Sequence, residues 1–238
     1  MSSKSTKTSF GLSPLFIVVL ALLTAIAPLA TDMYLAALPA VAENLNTTST
    51  NASLTLSSFM VGMALGQLVV GPLSDKTGRR KPLLFGVIIC FIATVACGFA
   101  PNIELLIFAR FLMGFTGSIG AVLARSMVTD TTEGLGTAKL MGVMMMINGF
   151  APVLAPLFGG WVLSWGNWRD IFHVLGVITA VMMLGVIFVI KETLPVEKRY
   201  TGTALSVYAE LPKVFKIRRY MGFMLTMCFA FGALFSYI

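Results

Sequence analysis

Seven long apolar runs constrain this chain more than any other feature of it. Six are complete, at approximately 14–40, 54–73, 82–100, 102–128, 139–163 and 171–190, and a seventh begins near Tyr220 and is still apolar at Ile238. A bilayer core about 30 Å thick is crossed by roughly 20 apolar residues of α-helix, so each run has the length of a membrane span. Charge is correspondingly sparse: Asp, Glu, Lys and Arg make up 11% of the chain, against about 25% in a soluble domain. The runs lack the period-two alternation of a membrane β-barrel. Glycine and proline inside them do not argue against helices, because neighbouring helices in a membrane re-satisfy the freed backbone groups. The expected fold class is an all-α polytopic membrane protein.

The net charge of +7 by itself admits a nucleic-acid partner, but its distribution points to no nucleic acid. With the N-terminus placed in the cytoplasm, fourteen of the seventeen basic residues fall on that side. They are Lys4, Lys7, Lys76, Arg79, Arg80, Lys81 and Lys139, then seven between Lys191 and Arg219. Arg169 alone falls outside, and Arg110 and Arg125 lie within a span. Such asymmetry is how basic residues orient a polytopic chain and touch acidic lipid head groups. The expected organisation is a cytoplasmic tail at 1–13, a six-helix bundle at 14–190, a basic cytoplasmic linker at 191–219 and a seventh helix at 220–238. The first run far exceeds the 7–15 residues of a signal-peptide core, so it reads as a span. Within the linker, "SVYAELPKVFK" reads as an amphipathic helix on the membrane surface. The polar segment 41–53 reads as an outer loop, and Trp161, Trp165 and Trp168 as an aromatic belt at the outer boundary.

Ionisable residues inside a span are costly and mark function by default. Asp32 and Arg110 fall at similar depth, Arg110 roughly 12 Å from the outer end of the fourth span at about 1.5 Å per residue. They are expected to face one central cavity, Asp32 exchanging a proton for a cationic substrate and Arg110 coupling that exchange to movement. Asp75 and Arg79, with Arg125 and Asp130 at the inner end of the fourth span, bring opposite charges into one cytoplasmic layer. A network there would hold one conformation shut. Pro152 and Pro156, followed by Gly159 and Gly160, are expected to bend the fifth span. Gly114, Gly117 and Gly120 suit close helix packing, since no strand precedes them and no Gly-Lys-Ser/Thr follows. Met144, Met145 and Met146 could line an adaptable apolar pocket. Cys90, Cys97 and Cys228 all lie in apolar runs without metal or redox spacing, and His173 reads as an interfacial polar residue. No cofactor and no metal is expected. No nucleophile–base pair stands in the loops, which argues against an enzyme.

The stretch "GPLSDKTGRRK", residues 71–81, matches the pattern G-x-L-[AS]-D-[RK]-x-G-[RK]-[RK] at every defined position. It resembles the loop signature of the major facilitator superfamily and falls where that family carries it, between spans two and three. The resemblance implies a conformational latch. Asp75 would meet a helix N-terminus of the second half when the inner side is closed, and Gly71 and Gly78 would permit close approach and a tight turn. "LIFARFLMGFTGS" resembles the fourth-span motif of proton-coupled members, with Arg110 as its arginine. "GFAPVLAPLFGG" resembles the fifth-span motif of drug/proton antiporters, although Ala155 stands where many have glycine. "TDMYLAALP", "LARSMVTD" and "NWRDIF" are similar to the bicyclomycin-resistance-type (Bcr/CflA) exporters, with Ala36 at a position commonly proline.

By that resemblance the chain is expected to be the six-helix N-terminal bundle of a major facilitator fold plus a seventh helix, with the second half missing. It would be a truncated proton-coupled multidrug exporter of the bacterial inner membrane. Its partners would be a small lipophilic or cationic drug-like substrate, protons, membrane lipids, and a second half or a second copy of itself. Two other readings stand beside it. One is an exporter of a specific metabolite such as a sugar or amino acid. The other is a non-transporting membrane protein that pairs with intact transporters.

Overall fold

The computed structural model describes residues 13–202, Tyr208 and residues 215–236. The chain divides after Arg199 into two compact units. The first is built from α1 (Pro14–Leu35), α2 (Leu38–Asn44), α3 (Ser49–Thr77), α4 (Arg80–Gly98), α5 (Ile103–Thr131), α6 (Leu135–Trp165) and α7 (Trp168–Val189), followed by a 3₁₀ turn at Val196–Lys198. The second contains α8 (Arg218–Ser236). Among the described residues, α1 and α3 to α7 are the six helices long and apolar enough to cross a membrane. α8 opens on Arg218 and Arg219 and does not reach that measure over its described residues. The expected linker helix at "SVYAELPKVFK", the N-terminal tail with Lys4 and Lys7, and Lys213 lie outside the described residues, apart from Tyr208, Phe215 and Lys216.

Helix ends depart from the apolar runs, and backbone chemistry explains where. The first run is two helices, because Pro39 has no N–H to continue α1. The polar segment 41–53 is largely helical, holding the end of α2 and the start of α3. There Thr48 Oγ1 accepts from the Asn51 amide at 3.2 Å and caps α3. Asn102 caps α5 through the Leu105 amide at 2.9 Å. Asn167 opens α7 with a full capping box, its reciprocal partner being Asp170. At the other ends of the spans, Gly78 links α3 to α4 at φ +91°, a conformation that L side chains rarely adopt.

α5 is the most enclosed of the spans. It packs on α3, α4 and α1, while α1 also meets α6 and α7, and α4 meets α7. Glycines set the closest approach. A Cβ on Gly62 or Gly66 of α3 would overlap the carbonyl oxygens of Phe111 or Phe115, and one on Gly114 would overlap that of Phe59. Backbones therefore touch where α3 crosses α5. Gly120 faces Leu23 of α1, whereas Gly117 has room beside Cys90.

The fifth span shows a sharper division. α6 buries Ala151, Ala155 and Gly159, a row four residues apart, and Gly159 lies against the backbone of Met33 in α1. Pro152, Pro156 and Gly160 sit on the exposed side instead. The helix runs unbroken through both prolines. Met144 is buried, but Met145 and Met146 are 75% and 57% exposed, so the three do not line one pocket. At about 100° per residue, consecutive positions on a helix cannot share a face.

Candidate functional site

Charged side chains gather at the end of the bundle where α3 turns into α4, called here the basic end. Arg79 is the hub. Its Nη1 donates to Ser74 Oγ at 2.7 Å and to Asp75 Oδ1 at 2.5 Å, and its Nε donates to Asp130 Oδ2 at 3.0 Å. One guanidinium thus joins the ends of α3 and α5 from the turn that begins α4. Its side chain is only 10% exposed. Burial disfavours the cation, but hydrogen bonds and charge from Asp130 and then Asp75 outweigh it and raise the Arg79 pKa. The fork geometry of arginine suits this three-way contact; a lysine could not reproduce it.

The segment leaving α7 completes the cluster. Glu192 Oε1 accepts the Arg79 amide at 2.8 Å and the Leu194 amide at 3.1 Å, and Oε2 accepts the Arg80 amide at 3.3 Å. Thr193 Oγ1 donates to the same Asp130 oxygen that Arg79 uses, at 3.3 Å. Arg199 turns back to Glu192 at 3.6 Å. Burial works against the Glu192 carboxylate, yet the amides of Arg79, Leu194 and Arg80, with the Arg199 charge, hold its pKa below the ordinary value. A side chain on Gly78 would collide with Glu192, a second reason for glycine there.

The structure brings Asp75, Arg79 and Asp130 together and leaves Arg125 out. Arg125 is exposed on α5, a little more than one turn before Asp130. Gly71 faces open space.

Arg110 lies deep within the bundle, fully buried. Its Nη1 donates to the Ala30 carbonyl of α1 at 2.9 Å. The guanidinium carbon stands 4.2 Å from the ring centre of Tyr34, 4.9 Å from Phe59 and 5.5 Å from Phe172. Tyr34 is held in turn by a 2.8 Å hydrogen bond between its hydroxyl and Thr55 of α3. Nε and Nη2 of Arg110 have no partner among the described residues.

Asp32 does not join Arg110, which corrects the expectation of one shared cavity. Ala30 and Tyr34 are the α1 residues facing Arg110, and Asp32 is two positions from each. Two residues turn an α-helix by about 200°, so Asp32 points to the opposite side. It is half-buried there. The aromatic cage was invisible in the sequence, because Tyr34, Phe59 and Phe172 come from three helices and look like ordinary span residues. Glu192 was more accessible to reasoning, as an acid at the end of a span beside a basic link.

At the end opposite Gly78, Arg169 stacks on Trp168 at 4.3 Å and donates to Asn44 Oδ1 at 2.5 Å and the Ala100 carbonyl at 3.1 Å. Trp168 Nε1 also reaches Asn44 Oδ1, at 3.2 Å. This clasp ties the three connections at that end. His173 pairs with Asp170 at 3.2 Å. Among the described residues no cluster of His, Cys, Asp and Glu could hold a metal ion.

The structure thus combines a six-helix bundle with a glycine turn and an arginine-centred ion network between its second and third spans. The sequence profile of the Major Facilitator Superfamily matches residues 20–238, and the chain belongs to that family. It is 39% identical over 221 residues to an uncharacterized MFS-type transporter of Bacillus subtilis, covering 92% of this chain and 55% of the relative. A bicyclomycin resistance protein homolog of Haemophilus influenzae is 29% identical, over 94% of this chain and 56% of the relative. A multidrug resistance protein of Escherichia coli is 30% identical, over 71% of this chain and 43% of the relative. The chain spans about half the length of the curated relatives it matches. These relatives are in keeping with the Bcr/CflA-type resemblance. Among solved structures, a D-xylose–proton symporter superposes with a TM-score of 0.66 at 14% identity, over 87% of this chain and 54% of that one. A peptide transporter reaches 0.67 at 15%, over 91% and 45%. Both likenesses establish the fold. The family is one of membrane transporters, not enzymes, and the chain is a multi-pass membrane protein.

Proposed function

We propose that the chain is the N-terminal half, with the start of the second half, of a proton-coupled multidrug efflux transporter in a bacterial inner membrane. Its basic end would face the cytoplasm, as the positive-inside rule prefers. The observation that carries this reading is the Arg79 network. It ties the Gly71–Lys81 motif to α3 and α5 from the start of α4, and in this reading serves as the lock that alternating access requires and a static scaffold does not. The relatives named for bicyclomycin and multidrug resistance supply the substrate class. Protons would drive the exchange against small lipophilic or cationic compounds.

Within this reading Asp32 is the proton-exchanging carboxylate. It sits on the side of α1 turned away from Arg110, so its titration need not disrupt the Ala30 contact. Arg110 acts through α1 and the aromatic cage. The exposed side of α6, with Pro152, Pro156 and Gly160, belongs to the surface against which the second half would move.

The test is efflux of a fluorescent lipophilic dye from energised cells. It compares this chain with a version extended by a related second half, each with and without Asp32→Asn. Export by the extended form alone, abolished by Asp32→Asn, is the expected result. Full export by the Asp32→Asn form would remove Asp32 from the mechanism. Transport confined to one sugar or amino acid across a compound panel would replace the multidrug reading with that of a metabolite exporter.

A further inference from the structure

The latch motif lies in the α3–α4 connection, yet the groups that hold its backbone come from beyond α7. We infer that Glu192 is a positioning residue of the latch, and that Glu192–Arg199 works as a strap making the start of the linker part of the lock. The inference rests on the reading of the Arg79 network as a latch.

The geometry is specific. Arg79 must place three N–H groups on Ser74, Asp75 and Asp130 at once, which demands a fixed backbone at the start of α4. No side chain of the α3–α4 connection supplies that: the cap position of α4 is Arg79 itself, without a side-chain cap bond. Glu192 does so from outside, taking the Arg79 and Arg80 amides on its two oxygens. First-turn amides have no partner within a helix, so a carboxylate there meets both their hydrogen-bonding need and the helix dipole. Arg80 Nη2 returns a bond to the Ile187 carbonyl at the end of α7, at 3.3 Å. Thr193 meets the latch at its other pole, sharing Asp130 Oδ2 with Arg79. The strap therefore touches both the backbone of the hub and its acceptor.

A mechanical consequence follows. If α3 and α5 part at the basic end, Asp130 leaves Arg79, and the strap, which holds the Arg79 amide through Glu192 and Asp130 through Thr193, must release one of them. Residues 193 onward are thereby coupled to the latch, and they begin the chain segment that leads toward any second half. Pulling the linker away from α7 would withdraw Glu192 from the α4 amides, which loosens Arg79 without altering a residue of the motif.

The experiment places a reporter beneath the lock. Val70, one helical turn before Ser74, is 1% exposed. In the full chain carrying Cys228→Ala, Val70→Cys is labelled with a maleimide in detergent micelles, and protection of the Arg79 and Arg80 amides is followed by hydrogen exchange. Glu192→Gln is expected to speed both labelling and amide exchange by about tenfold, the scale of one charge-assisted hydrogen bond. Thr193→Val is expected to speed labelling by a smaller factor and leave the two amides protected. Faster exchange with unchanged labelling would make Glu192 a helix cap and overturn the inference. Should Glu192→Gln fail to fold, Thr193→Val and Arg199→Gln perturb the strap from its edge, and unchanged labelling in both would equally overturn it. Asp130→Asn separates the two levels of the argument. If that variant leaves Val70→Cys closed, the latch reading itself fails. If it opens the site and the strap variants do not, only the strap falls.

Discussion

Replacing Arg110 with methionine should stabilise the bundle, and the structure allows the size of the effect to be worked out. The substitution forfeits the 2.9 Å bond to the Ala30 carbonyl, about 1.5–3 kcal/mol for a charged donor. It also forfeits the stack on Tyr34, Phe59 and Phe172, about 2 kcal/mol for a desolvated cation–π contact. Against this, it removes Nε and Nη2, both buried without partners, at about 1–3 kcal/mol each. It further removes the remaining desolvation cost of a buried cation with no carboxylate beside it among the described residues, several kcal/mol more. Methionine fills a similar volume with a flexible apolar chain. The gains exceed the losses by a few kcal/mol, and each kcal/mol is worth about 2–4 °C in Tm for a chain of this size. Thermal unfolding of the purified chain in detergent, followed by tryptophan fluorescence, measures it, Trp168 being almost fully buried beside the cage. A fall in Tm would refute the reasoning, because the aromatic cage would then more than offset the burial of the charge. A rise would mean that Arg110 is kept at a cost to stability, as a residue retained for function would be.

Two further outcomes follow from the packing and the ion network. Gly62→Ala places a methyl group on the Phe111 carbonyl oxygen, and since backbone cannot yield there, the cost should reach or pass the upper end of the usual 1–3 kcal/mol for overpacking. Gly71→Ala, with nothing near its Cβ, is the matched control and should leave the unfolding temperature level or slightly raised. For Glu192 the folded pKa is depressed, so its stabilisation is fully present above the unfolded value of about 4.3 and is lost as pH falls through the folded value. Protection of the Arg79 and Arg80 amides should hold from neutral pH down to the ordinary glutamate value and decline only below it. A decline centred near neutrality would exclude Glu192 as their acceptor.

Much of this protein is legible in its amino-acid sequence. Membrane helices announce themselves because lipid imposes a length and a polarity on each span, and both are written residue by residue. The turn at Gly78 was legible for a similar reason: glycine, flanking charges and position between two runs constrain one another locally. Helix ends were less so. α3 starts at Ser49, inside what reads as a polar loop, because a cap at Thr48 satisfies backbone groups irrespective of hydropathy. The fifth-span motif reads as a bend from its prolines, but which side it buries is not legible: Ala151, Ala155 and Gly159 are buried while Pro152 and Pro156 are exposed.

Legible along the chain are the six spans of the first unit in their order, the lopsided placement of charge and the composition of the Gly71–Lys81 motif, since each depends on the chain's exchange with lipid and water. Which charges meet depends instead on how the helices pack. Asp32 and Arg110 share a depth but not a face, and the face follows from how α1 is rotated against α5 by the packing of Ala30 and Tyr34. Arg125 and Asp130 share a helix end, yet only Asp130 is turned toward Arg79. Glu192 joins the site from 113 residues away. Depth in a membrane is a property of one helix and its solvent, whereas facing and partnership arise from the side-chain packing of several helices, which no single segment encodes.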